Sequence, residues 1–412
     1  MKYDAVIIGG GIVGLSTGMA IYERYPDAKI AVIEKEKDVA LHQTGNNSGV
    51  IHSGIYYTPG SFKARFAKQG SKDMQKFCKK HHINYDMCGK VIVATTEEEL
   101  PLLDNLYQRG LENNLTIEKI DATRLKEIEP HVRGLAAIHV PQAGIVDYRE
   151  VSRKFAEIIT NKGGDLFLNT EFISMHEARE QVTVKTNKGS LKAKLVINCA
   201  GLHSDRVAEA AGYLTDMKIV PFRGEYFSLK PEKQDLVKTL IYPVPNPKFP
   251  FLGVHFTKMI DGTVEAGPNA VLGFKREAYK KTDISLKDTV ESLKFPGLWK
   301  LGSKFLKEGI AEYTRSLSKT QFTKSLQALV PEIEKDDLIS APAGVRAQAL
   351  TRDGVMVDDF QIIDGKRSIH VCNAPSPAAT ASIGIGKEVA RRVELYFNIK
   401  NIDNEEKRIG VL

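Results

Sequence analysis

The chain has 412 residues, of which 42% are apolar and 26% charged, with a net charge of +7. That length accommodates two structural units with sizeable cores, and the composition is that of an ordinary soluble globular protein. No uninterrupted apolar stretch is long enough to span a bilayer, and Asp4 with the glycines behind it argues against a secretory leader. The four cysteines, Cys78, Cys88, Cys199 and Cys372, show no C-x-x-C pairing. No metal centre or disulfide framework is expected, and a reducing cytoplasm fits best.

The apolar run 3–8 opens straight into Gly9-Gly10-Gly11-Ile12-Val13-Gly14, and a second run, 29–33, ends on Glu34, twenty positions after the last glycine. Strand, G-x-G-x-x-G, helix, strand and acid in this register form a dinucleotide-binding crossover. Gly9 permits the tight turn, Gly11 lets backbone approach a pyrophosphate, and Gly14 allows close helix–strand packing. The helix N-terminus offers N–H groups and partial positive charge to the phosphates. Glu34, followed by Lys35, can accept hydrogen bonds from an adenosine ribose, and its charge disfavours a 2′-phosphate.

A glycine-rich polar loop, 41–60, precedes a helical pattern over 61–81. A strand is expected at 90–95, a charged helix at 97–113, and a helix at 148–161 with Asp147 as its N-cap. Residues 182–186 read as a hairpin arm, and 195–201 as a buried strand ending at a glycine. Strands dominate 220–264. The α/β signal returns near Ala341 and closes with a strand at 368–372 and a helix from Ala378 to Tyr396.

Most of the excess charge sits between Lys275 and Ser325, where twelve cations face six acids. The only tryptophan, Trp299, lies there, and Pro296-Gly297 should break the segment into two helices. It reads either as a solvated helical excursion with an inward apolar face or as a surface docking on anionic lipid. Basic residues gain about 1 kcal/mol each near such a surface. Nucleic acid is not expected, because no recognised binding module accompanies the charge.

There is no second G-x-G-x-x-G, which argues against reductases that draw electrons from NAD(P)H. If the dinucleotide is FAD, electrons arrive directly from a small substrate.

Six segments carry a resemblance. They are His42-Gln43-Thr44-Gly45-Asn46-Asn47-Ser48-Gly49 running on to Tyr56-Tyr57, Pro221-Phe222-Arg223-Gly224-Glu225, and Pro250-Phe251-Leu252-Gly253-Val254-His255. With them go Gly267-Pro268-Asn269-Ala270, Ala343-Gly344-Val345-Arg346-Ala347-Gln348, and Asn373-Ala374-Pro375-Ser376-Pro377-Ala378-Ala379-Thr380. Over nearly its full length the chain resembles the D-amino-acid oxidase-like FAD superfamily, and within it the L-2-hydroxyglutarate dehydrogenase (oxidase) family. That family usually reads H-Q-T-G-H-N-S-G, whereas this chain has Asn46 at the second histidine. A role for that imidazole in catalysis or flavin attachment is not carried over, and non-covalent FAD is expected.

The resemblance implies an α/β protein with a discontinuous Rossmann-type FAD-binding domain at 1–85, 147–220 and 335–412. An α+β substrate domain built on a large mixed or antiparallel sheet would take 86–146 and 221–334, with the basic excursion at 275–325. It further implies oxidation of L-2-hydroxyglutarate, a 2-hydroxy dicarboxylic acid, to 2-oxoglutarate by hydride transfer to flavin N5. Electrons would pass to membrane quinone or oxygen, the cytoplasmic protein being attached peripherally to the inner face of the cell membrane. An amine oxidase of the sarcosine/glycine type is the nearest alternative, and a non-catalytic FAD-containing binding protein is the alternative of another class.

Such chemistry needs a base, for which His255 and His52 are the candidates, either of which could instead be an ordinary buried imidazole. It needs cations for the carboxylates, with Arg346 first and Arg223, in a turn that is often structural, second. Tyr56, Tyr57 and Tyr242 line the pocket or belong to the core. Thr44, Asn47 and Ser48 offer polar groups to pyrophosphate and flavin, and Ala200-Gly201 closes a strand against the nucleotide. Ser376-Pro377, with Ala379 and Thr380, leads a helix whose N-terminus would face the flavin C2 carbonyl and stabilise negative charge there.

Overall fold

The opening apolar run folds as the strand Lys2–Ile8, flanked in parallel by Ile30–Ile33 and Gly189–Asn198. The connecting helix Ile12–Arg24 supplies the crossover that a parallel pair requires. Asp165–Phe167 extends the sheet beside Ile30–Ile33, and the antiparallel arm Val182–Thr186 and Phe172–Glu177 extends it the other way. Ser368–Asn373 joins Gly189–Asn198 in parallel and pairs with Gln361–Asp364, which makes eight strands in all. Val6, Ile8, Ala31, Ile33 and Val196 share one core cluster. The closing helix Ala378–Phe397 packs on Ile12–Arg24 so tightly that a Cβ at Gly386 would lie 2.6 Å from Ser16 backbone.

The computed structural model describes residues 2–213, 216–246 and 252–397. Within these residues there are two compact units, one of residues 2–45, 148–213, 216 and 360–397, the other of residues 46–147, 217–246 and 252–359. Pro250 and Phe251 of the family-like segments lie outside the described residues.

The second unit is built on an eight-stranded mixed sheet. Its order is Leu338–Ser340, Phe227–Leu229, Val264–Gly267, His255–Lys258, Leu240–Pro243, Lys90–Ala94, Ala136–Val140 and Glu118–Asp121. Leu240–Pro243 and Lys90–Ala94 run parallel, while their outer neighbours pair antiparallel. Alternation along Lys90–Ala94 sends Val91 and Val93 into a core with Phe256 and Phe322, and Ile92 and Ala94 into another with Leu103 and Tyr242. Both faces are therefore covered, as the unbroken apolar run requires. A three-stranded sheet, with Met217–Gly224 between Val271–Leu272 and Gly344–Thr351, completes the scaffold.

The unit boundaries differ from those expected. Residues 46–85 pack in the second unit, because Val50–Ile51 and Tyr85–Asp86 both pair with Gly144–Val146. Residues 217–220 and 335–359 also join it, because Gly344–Thr351 pairs with Met217–Gly224 along its whole length. The chain returns to the nucleotide unit at Phe360 rather than near Ala341.

The basic segment forms four helices rather than two: Leu286–Lys294, Pro296–Lys304, Leu306–Leu317 and Lys319–Gln327. Pro296 starts the second as expected, and Ser318 stops the third by capping the fourth, its hydroxyl accepting from Gln321 N. The apolar face is only partly inward. Phe295 and Leu301 pack on Phe222 and Leu350, yet Leu286 is 80%, Trp299 63% and Leu317 82% exposed. Arg276 is buried against Glu291 and takes no part in the surface charge.

Candidate active site

In the first unit the turn 9–14 is built around absent side chains. Gly9 has φ +111°, and a Cβ there would meet Cys199 O at 2.4 Å. A Cβ at Gly14 would lie 2.0 Å from Gly9 O, so helix and strand approach as closely as backbone allows. Gly11 is the N-cap of Ile12–Arg24 and makes no side-chain cap bond. Glu34 is buried where Ile30–Ile33 ends, its Oε2 accepting from Gly10 N at 2.7 Å and its Oε1 from Glu36 N at 2.9 Å. Each carboxylate oxygen keeps a further lone pair. Lys35 pairs with Glu36 at 3.1 Å. Thr44 Oγ1 accepts from Ile12 N at 3.0 Å, which ties the loop to the helix start.

Ala200 and Gly201 follow Gly189–Asn198, with Gly201 at φ +53°. Ser376 and Pro377 precede Ala378–Phe397, which contains Ala379 and the buried Thr380, whose Oγ1 lies 2.9 Å from Tyr148 Oη. Asn47 and Ser48 belong to the second unit, where Asn47 Oδ1 accepts from Gly49 N.

In the second unit the structure brings His52, His255, Tyr56, Tyr242 and Arg346 into one polar cluster. His255 opens the strand His255–Lys258, is 5% exposed, and stacks on Tyr242 with centroids 3.8 Å apart. Its Nδ1 lies 2.8 Å from Gly253 O. A carbonyl only accepts, so Nδ1 carries the proton and Nε2 the lone pair. Burial above all, then the charges of Lys90 and Arg346, hold the His255 pKa down to about 3. His52 follows Val50–Ile51 and is likewise lowered to about 3, by burial first and then by Lys90, His255 and Lys63. Both imidazoles are neutral at pH 7.

Arg346 lies on Gly344–Thr351, half-buried, and its charge acts on Tyr226, Tyr242 and His255. Burial pushes Tyr226 up to about 12 and raises Tyr242 well above its usual value. Tyr57 lies under the Lys63 ammonium, 5.4 Å away, and Lys63 pairs with Asp358 at 2.7 Å. Arg223 is ion-paired with Glu225. Its Nη2 donates to Glu225 Oε1 at 2.8 Å, and Asn269 and Lys281 hold the same carboxylate.

One residue of the cluster is missing from the sequence reading. Lys90 is 1% exposed, with its Nζ 3.7 Å from the Tyr242 ring centroid and 5.3 Å from that of Tyr56. The signal was present: a lysine heading a strand with two apolar faces has no wet side to occupy.

The FAD dependent oxidoreductase family model matches residues 4–392. L-2-hydroxyglutarate dehydrogenase of Indibacter alkaliphilus is 52% identical over 391 residues, covering 94% of this chain and 98% of the relative. The human mitochondrial L-2-hydroxyglutarate dehydrogenase is 46% identical over 417 residues, covering 97% of this chain and 90% of its own length. Among solved structures, an FAD-bound L-α-glycerophosphate oxidase from Mycoplasma pneumoniae aligns with a TM-score of 0.76 at 22% identity, over 97% of this chain and 95% of that one. Glycine oxidase from Geobacillus kaustophilus aligns at 0.71 with 17% identity, over 95% of each chain. The chain therefore belongs to the FAD-dependent oxidoreductases and, within them, to the L-2-hydroxyglutarate dehydrogenase family.

Proposed function

We propose that this protein is an FAD-dependent dehydrogenase that oxidises L-2-hydroxyglutarate to 2-oxoglutarate. The observation that carries the reading is a neutral imidazole, His255, with Nδ1 engaged and Nε2 bearing its lone pair, under the charge of two cations. Relatives named for this activity, about half identical along nearly the whole chain, support the choice of substrate.

The turn 9–14 fits FAD, because its backbone is bare of side chains where the pyrophosphate must come close and a helix N-terminus stands behind it. Gly9, Gly11, Gly14, Glu34, Lys35, Thr44, Asn47, Ser48, Ala200, Gly201, Ser376, Pro377, Ala379 and Thr380 would hold it, non-covalently, since Asn46 has no imidazole to bond with flavin. When bound, FAD supplies the acceptor for the two electrons that leave the substrate α-carbon with its hydrogen. The chain does the rest. His255 Nε2 takes the hydroxyl proton as the carbonyl forms, Arg346 grips a carboxylate, and the stacked Tyr242 fixes the plane of the base. His52 is the alternative base.

Electrons pass on to membrane quinone, and the cytoplasmic protein docks on the inner face of the membrane through 275–325. Exposed Leu286, Trp299 and Leu317 among basic helices support this reading, and no helix among the described residues is long and apolar enough to cross a bilayer. Anaerobic bleaching of the flavin by L-2-hydroxyglutarate, and not by glycine or sarcosine, tests the activity. Co-sedimentation with anionic vesicles at low salt tests the docking, and an absence of binding would refute it.

A further inference from the structure

The second unit holds two buried polar groups that the proposed chemistry does not use. Among the described residues no carboxylate or carbonyl is paired with the Lys90 ammonium, which lies over the rings of Tyr242 and Tyr56. The Tyr56 hydroxyl is also buried and has no hydrogen-bond partner. Burying an ammonium or a hydroxyl without a partner is strongly unfavourable. Ring faces offset only part of this through cation–π attraction. The strand register explains how the lysine is held there: Lys90 pairs with Leu240 and Ile92 with Tyr242, so Lys90 and Tyr242 share a face of adjacent parallel strands.

A carboxylate accepts charge-assisted bonds from an ammonium and from a phenol hydroxyl alike, so a ligand carboxylate satisfies both groups. A neutral or cationic ligand would leave the lysine charge uncompensated. The position is specific as well. His255 stacks on the same Tyr242 that Lys90 covers, and His255 feels the charge of both Lys90 and Arg346. His255 thus feels two separate cations, and a substrate with a carboxylate at each end calls for two.

Resting on the activity proposed above, we infer that Lys90 and Tyr56 form the subsite for the distal carboxylate of the substrate and thereby set the preference for dicarboxylic over monocarboxylic 2-hydroxy acids. Arg346 then holds the carboxylate next to the reacting carbon. Lys90 is a specificity residue, since it acts on the end of the molecule remote from the bond that changes.

The test compares the flavin-loaded wild type with Lys90→Met, Lys90→Gln and Tyr56→Phe. The substrates are L-2-hydroxyglutarate and L-2-hydroxybutyrate, which lacks the distal carboxylate. Lys90→Met should lower kcat/KM for the dicarboxylate by about 100-fold or more and for the monocarboxylate by far less, and Tyr56→Phe should do the same on a smaller scale, about 10-fold. A second readout needs no turnover: glutarate should perturb the absorbance of the bound flavin in the wild type and lose affinity in Lys90→Met, while butyrate binds both equally. Parallel losses for the two acids, or an unchanged ratio in every variant, would overturn the assignment. If the wild type oxidises neither hydroxy acid, the proposed activity falls, and the glutarate titration still decides the subsite. Should Lys90→Met fail to retain flavin, Lys90→Gln and Tyr56→Phe carry the same comparison.

Discussion

The imidazole of His255 lies against the phenol ring of Tyr242, centroids 3.8 Å apart and planes 28° from parallel. Tyr242 meets the Lys90 ammonium as well, 3.7 Å from its ring centroid. A single aromatic side chain therefore couples the candidate base to a buried cation.

His255→Ala is expected to slow anaerobic flavin reduction by about 10²–10⁴-fold while flavin content stays normal. His52→Ala should have a smaller effect. Stopped-flow reduction of both variants decides between them, and near-normal rates in both would remove histidine as the base. Because burial holds both imidazoles down to about 3, the base form persists far below the usual histidine range. The acid limb of kcat/KM should therefore lie well below pH 6.5.

Lys90→Met is expected to stabilise the ligand-free protein at pH 7. Burial lowers the Lys90 pKa from 10.5 to about 7, with Cys88 opposing and Tyr56, Tyr242, His52 and His255 facing the ammonium. Between those values the unfolded chain binds more protons than the folded one, so native stability rises with pH across the window and is diminished as pH falls toward 7. Removing the group should gain roughly 2–4 kcal/mol at neutral pH, with the advantage shrinking toward pH 10. Thermal melts at pH 7 and 10 check the sign.

Gly14→Ala should yield protein that no longer retains flavin. The added Cβ has only 2.0 Å to Gly9 O and 3.3 Å to Cys199 Cβ, so the turn must open where the pyrophosphate would rest. The ratio of flavin to protein absorbance after purification is the measurement.

Arg223 and Arg346 should separate cleanly. Arg223→Met leaves Glu225 buried without its main partner and is expected to destabilise the fold by about 3 kcal/mol or more with little change in KM. Arg346→Lys loses fork geometry and should lower kcat/KM by about 10²-fold with a near-wild-type melting temperature. Denaturant titration and steady-state kinetics on both variants distinguish the roles.

The nucleotide crossover was legible because its parts are local. Glycines, apolar runs and Glu34 lie within thirty-four residues, and each is dictated by backbone geometry. The packing of residues 46–85 in the second compact unit was not legible, because their strands, Val50–Ile51 and Tyr85–Asp86, are two residues long and carry no periodicity of their own. The four basic helices were legible in principle. Ser285 and Ser318 both cap, accepting from Asp288 N and Gln321 N, and serine before a helical run is a recognisable start. For Lys90 the strand's two apolar faces signal burial, while the rings that cover it, Tyr56 and Tyr242, are remote in sequence and legible only in the fold.

The pinning of Glu34 has a consequence for altering nucleotide preference. Its two oxygens already hold Gly10 and Glu36 amides, so the acid is a strut of the turn before any ribose arrives. Exchanging it alone for a residue tolerant of an extra phosphate would unfasten the loop itself. Converting this scaffold to another dinucleotide would thus fail first at the level of local architecture, and only afterwards at recognition.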